Sequence, residues 1–250
     1  MKTRAELKTS VKQLFKGRWK DAILLCIVVS LLSVFSVAVQ TNNSAHHSTS
    51  TSVTDTATIS GAAQTLSNIS WQTWAAITGV LAAGGLIALI YYCVVRIFMV
   101  GTSYSMLDWF RQPDREIHPV SDSTVGFTRR YALPTIGLIL LQWLWITLWS
   151  LLLIVPGIIK YFAYSQTYFV YKDMLANTPA GQPKPRLRDA VTRSRQLMVG
   201  HKMEFFILQL SFIGWAIVCG LTAGIGLIWL VPYRYGTAAA YYQNLIESHH

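Results

Sequence analysis

The chain has 250 residues, of which 52% are hydrophobic and only 13% charged, where soluble domains carry about 25% charged residues. Aromatics supply 12%, nine of them Trp, and the mean hydropathy is +0.38. These figures exclude a disordered tail and argue against an ordinary soluble globule. The apolar residues fall in long runs, so one membrane-embedded unit is expected. With 21 Lys and Arg against 11 Asp and Glu, the net charge is +10. Cys26, Cys93 and Cys219 sit inside apolar runs, which predicts neither a disulfide framework nor a zinc site.

Residues 1–20 read as a basic amphipathic helix preceding a single membrane domain over 21–250. Leu7, Val11, Leu14 and Phe15 form its apolar stripe, and Lys8, Lys12, Lys16 and Lys20 recur at i,i+4. The pattern suits a helix lying against anionic headgroups, and equally a solvated helix that only enforces topology. A bilayer core of about 30 Å needs roughly 20 apolar residues per helix. Six runs approach that length. They are Ala22 to Val39, Trp74 to Val100 or Phe110, Leu133 to Val155, Ile158 to Tyr171, Phe205 to Gly220, and Leu221 to Tyr242. A Pro156-Gly157 break precedes the fourth, and Pro232 interrupts the sixth. The fold class expected is all-α, a polytopic membrane bundle of about six transmembrane helices with basic interfacial helices.

Lys and Arg number seven in 1–20, four in 101–132 and seven in 172–202, and none lies in 40–72. Basic loops mark the cytoplasmic side, so both termini are expected there, in the plasma membrane, with the Ser/Thr-rich loop 41–70 outside. Residues 1–39 also resemble a secretory signal, but removing them would leave five spans and misplace a basic loop. In the outer loop, His46-His47 lacks the company a metal site needs. Asn42-Asn43-Ser44 and Asn68-Ile69-Ser70 match the glycosylation sequon. The segment 172–202 opens with NTPAGQPKP, which cannot be helical throughout. A short basic helix over 188–199 follows, bearing Arg188, Arg193 and Arg195, with Val191, Arg195 and Met198 on one face and Gly200 as its stop. Val155-Pro156 is echoed by Val231-Pro232, and Gly101-Thr102 by Gly236-Thr237, which supports three two-helix hairpins and no more.

No P-loop, HExxH or GxSxG string is present. Ten of the eleven acids lie in loops or flanks, and Glu204 opens the fifth run, so a carboxylate proton relay is not expected. Lys160 and Ser165 stand at i,i+5, on different helix faces, which argues against a Ser-Lys dyad. No catalytic residue, metal or cofactor is predicted, and the protein reads as a non-enzyme. Three cations remain within or at the ends of apolar runs: Arg96, Lys160 and Arg234. A charge at the bilayer centre costs about 2.5–3.5 kcal/mol. One account has these side chains snorkelling or capping carbonyls freed by Pro156 and Pro232. The other makes them an anion recess for a lipid phosphate or an amphiphile carboxylate, bordered by Tyr233, Tyr235, Tyr161 and Tyr164. The remaining aromatics read as interface anchors, and the glycines of 214–236 as packing surfaces.

The second half carries recurring blocks: PGII-K at 156–160, YS at 164–165, SR-x-LM-x-G-x-K at 194–202, LSFIGW at 210–215, TAGIGLIWLVPY at 222–233 and YY at 241–242. Together with KTRAELK and LFKGRWKDAI near the amino terminus, they resemble the bacterial integral membrane family catalogued as domain of unknown function 975. The resemblance covers nearly the whole chain except the Ser/Thr loop and 105–130. It implies a multi-helix plasma-membrane protein and supplies no activity or site residues. The expected task is binding or organising anionic phospholipid or another amphiphile, with the bilayer as partner and no nucleic acid. The alternative is a small permease or exporter subunit for an organic anion or peptide.

Overall fold

A computed structural model describes residues 2–31, 70–152, 154–179, 181–222 and 224–248. The end of the first apolar run, His46, His47, the first sequon and Asn68-Ile69 of the second lie outside them. Every regular element among the described residues is helical. In chain order these are α1 (Arg4–Phe15), α2 (19–31), α3 (Trp71–Arg111), α4 (Pro119–Ser123), a 3-10 turn (Val125–Phe127) and α5 (Ala132–Leu152). Then follow α6 (Ile154–Ala163), α7 (Thr167–Ala176), α8 (Leu187–Leu197), α9 (Lys202–Leu221) and α10 (Leu227–Glu247). The chain divides into one unit made of 1–32 with 95–250, and a second of 33–94.

In the second unit, the described part is Ser70 and the first turns of α3. Val80, Leu86, Ile87, Leu89 and Ile90 are 50–72% exposed there. A helix apolar on all sides with its side chains exposed is suited to lipid, since water would make that surface an aggregation site. Among the described residues, three helices are long and apolar enough to cross a membrane: Trp71–Arg111, Ala132–Leu151 and Lys202–Leu221. The exposed Trp143, Leu144, Leu148 and Leu151 of α5, and Trp215, Ile217, Val218 and Leu221 of α9, give those two the same lipid-suited surface.

The first unit holds the core. Helix α1 starts at a capping box, in which Glu6 N–H donates to Thr3 Oγ1 and Thr3 N–H to Glu6 Oε2. Its stripe of Leu7, Val11 and Phe15 is buried in protein, packed on α10 where Gly236 admits the Val11 and Phe15 side chains. The helix expected over 1–20 is therefore two helices. Lys16 caps the first, Gly17 turns the chain at φ +80°, and Lys20 belongs to α2. The i,i+4 row breaks at Lys16, and the apolar stripe meets α10 rather than lipid.

Two tight hairpins follow a common plan. A Cβ on Gly157 would lie 3.1 Å from Ser150 Cα, and one on Gly226 3.3 Å from Cys219 Cα. Each glycine stands seven residues after its partner, so α5 doubles back as α6, and α9 as α10. Gly224, at φ +83°, turns the second. The Pro156-Gly157 pair lies just inside α6 and not between helices, as proline tolerates in a first turn. The fourth apolar run is not one helix. It breaks at 164–166, where the hydroxyls of Ser165 and Thr167 donate to Phe162 and Tyr164 carbonyls. Helices α6 and α7 have ten residues each, about 15 Å, half a bilayer core. The described residues do not show six spans. The sixth run is present as α10, continuous through Pro232. Helix α8 buries Ala190, Val191, Ser194, Leu197 and Met198, so its inward face excludes Arg195, contrary to expectation.

Candidate functional site

The seven residues expected to share one recess occupy three places. Tyr235 lies within electrostatic reach of Arg96, Arg234 and Tyr161, which brings those four together. There, an Arg96 guanidinium nitrogen donates to Tyr168 Oη at 3.2 Å, with the guanidinium 5.7 Å from that ring, while Arg234 is exposed. Tyr233 lies elsewhere, edge-on to Phe212 at 5.5 Å and below Lys12 at 5.8 Å. Lys160 belongs to a third place. Its ammonium sits 4.5 Å from the Trp149 ring centre, and the charges acting on it are those of Arg195 and Lys202. Tyr164, buried, is the tyrosine within reach of Arg195, and its carbonyl accepts from Gln142 at 3.0 Å.

The basic helices divide in the same way. Lys8 is engaged by protein, donating to Ser211 Oγ at 2.7 Å and lying 4.7 Å from the Phe212 ring centre. Burial lowers its pKa, and the neighbouring charges of Lys12 and Arg4 act in the same direction. Lys12, Lys16 and Lys20 are exposed. So are Arg188, Arg193 and Arg195, and these three make no hydrogen bond or ion pair among the described residues.

A cluster of paired charges was not foreseen. At the end of α3, Arg111 forms a two-pronged pair with Asp173 of α7 at 2.7 and 2.8 Å, and Tyr242 of α10 donates to the same carboxylate at 2.9 Å. Lys172, 7% exposed, donates to the Tyr104 carbonyl at 2.7 Å and to Asp108. Burial lowers the Lys172 pKa and the Asp108 carboxylate opposes that shift. Arg115 pairs with Asp122 at 2.6 Å, and Arg18 donates to the carbonyls of Pro113 and Arg115, both at 2.8 Å. The signal was available in sequence: Asp108 and Arg111 at i,i+3 end an apolar helix, and Lys172-Asp173 offers the complementary charges.

Two shallow hollows of about 300 and 380 Å³ adjoin at Met174 and Arg193. The first is walled by Val170, Leu197 and Ile246 and floored by the Asp173–Tyr242 pair; the second runs along α8 past Asp189, Thr192 and Gln196. Asp173 is saturated by Arg111 and Tyr242, so the cation facing both hollows is Arg193.

A family model described as Protein of unknown function (DUF975) matches residues 1–179 and 144–249. No curated protein and no solved structure matches the chain.

Proposed function

The chain belongs to the DUF975 family of unknown function, and we propose, from its site chemistry, that it is a multi-pass membrane protein that binds and organises anionic lipid at the cytoplasmic leaflet without enzymatic activity. The observation that carries this reading is the division of its cations. Those at the end of α3 and on α7 are matched by carboxylates, whereas Arg188, Arg193, Arg195, Lys202 and Arg234 find no hydrogen bond or ion pair among the described residues. Unpaired cations that are exposed or half-buried next to lipid-suited helices attract anionic headgroups by about 1 kcal/mol each near the surface.

Arg96, Arg234 and Tyr235 offer a second anion contact. Arg234 is exposed and forms no ion pair among the described residues, so a phosphate oxygen suits it. The test is native mass spectrometry of the full chain extracted in mild detergent from a membrane of mixed lipids. Anionic phospholipid should be retained over phosphatidylcholine, and an Arg96→Gln, Arg234→Gln double variant should retain less. Equal retention of both lipid classes by the wild type would sink the lipid reading. Substrate flux in proteoliposomes would then be the property to measure.

A further inference from the structure

We propose that Lys160, Arg195 and Lys202 form the seat of a single phosphate group at the junction of α6, α8 and α9, with an anionic phospholipid as its natural occupant. The proposal rests on the lipid reading above and gives it an address separate from Arg96 and Arg234.

The junction is fastened by contacts that do not involve the three cations. Ser194 Oγ, on α8 beside Arg195, donates to the Ala163 carbonyl at the end of α6 at 3.0 Å. Phe162 of α6 meets Phe205 and Phe206 of α9 with ring centres 6.3 and 5.4 Å apart. Tyr241 Oη of α10 donates to the His201 carbonyl at 3.1 Å, which fixes the start of α9. Three elements distant in sequence are thus held so that Lys160 feels both Arg195 and Lys202.

Packing like charges together costs free energy unless an anion accompanies them. Among the described residues, none of the three cations pairs with a carboxylate. The acid on this turn of α9, Glu204, faces His201 at 3.5 Å and acts on Tyr241. The α9 amino terminus adds roughly half a positive charge of its own. Lys160 and Lys202 are half-buried and Arg195 is exposed, so the seat opens outward. Lys202 is the first residue of a membrane-length helix, which puts the seat at headgroup level. The half-exposed Trp149 and the 55% exposed Tyr161 are the aromatic types that belong at that depth. A phosphate monoanion with two acyl chains meets each condition: negative charge for the cations, chains along the exposed faces of α5 and α9.

The experiment uses full-length protein in detergent, titrated with phosphatidylglycerol, phosphatidylcholine and, separately, inorganic phosphate, with bound species counted by native mass spectrometry. Lys160→Gln with Arg195→Gln should weaken the tightest phosphatidylglycerol site about thirtyfold. Arg188→Gln with Arg193→Gln, equal in charge, should weaken that site less than about threefold. A thermal melt of each variant checks folding, and Lys160→Arg should retain the site if the double variant melts early. Equal losses in the two double variants, or none in either, overturn the seat while leaving general lipid binding intact. A wild type that does not distinguish the two lipids overturns the broader reading. The phosphate titration then decides the seat alone: saturable binding lost in the Lys160, Arg195 variant keeps it with a soluble phosphate, and no binding removes it.

Discussion

The end of α3 and the outer face of α8 are both rich in arginine, yet they solve opposite problems. At Arg111 and Arg115 each guanidinium meets a carboxylate, and Lys172 is enclosed between Asp108 and the Tyr104 carbonyl. On α8, Arg188, Arg193 and Arg195 are exposed while Ala190, Val191 and Ser194 are buried, and they form no ion pair among the described residues. The first group ties α3, α7 and α10 into one body, and its charge is used up internally. The second leaves its charge available. A cation's role in this protein is therefore read from its partner and not from its depth along an apolar run.

The largest effect should come from breaking the first group. Asp108→Asn leaves the Lys172 ammonium buried without its ion-pair partner, with only neutral carbonyl oxygens to donate to, and an expected loss of about 2–4 kcal/mol follows, because an uncompensated buried charge is worse than none. Lys172→Met removes the charge and fills the space, and should cost under about 1.5 kcal/mol. Melting temperatures in one detergent compare them directly. If Lys172→Met proves the more damaging, the pair contributes net stability and the contrast with α8 loses its basis.

That ion-paired group also shows where reading the sequence stopped short. Helical class and the basic segments were legible because periodicity and composition are local properties. The amphipathic stripe of α1 was legible too, as Leu7, Val11 and Phe15 are all buried. Its destination was not, since a stripe facing lipid and one facing α10 are spelled alike; Gly236, the residue that admits it, lies more than 200 positions away. The fourth run reads as one helix in sequence because Lys160 and Gln166 are the only strongly polar residues between Ile158 and Tyr171. The break at 164–166 is made by side-chain-to-carbonyl bonds from Ser165 and Thr167, which the hydropathy of a run does not register. As cations within apolar runs, Lys160, Arg96 and Arg234 look alike in sequence, whereas packing puts Lys160 within reach of Arg195 and Lys202.

The hairpin turns allow the next test. Gly157→Val would press a branched side chain onto the Ser150 backbone 3.1 Å from its Cβ, and should cost about 1–3 kcal/mol through overpacking. Gly226→Val, against Cys219, should behave alike. If Gly157→Val is neutral, the α5–α6 turn yields freely and the common plan of the two hairpins is not a shared constraint.

The smallest stability effect should fall on the second group, and that is its diagnostic value. Arg188→Gln, Arg193→Gln and Arg195→Gln, combined, should shift stability by less than about 0.5 kcal/mol per site, as for surface residues without partners. Lys8 sits between the two groups, because it donates to Ser211 Oγ and lies over Phe212; Lys8→Met should cost about 0.5–1 kcal/mol, the size of one exposed cation–π contact. The three arginine substitutions should nonetheless reduce co-purified anionic lipid more than Lys8→Met does. Stability and lipid retention would then rank the same cations in opposite order. That inversion is what a division between structural and available charge requires, and a single ranking for both properties would show that lipid is held wherever the fold is intact.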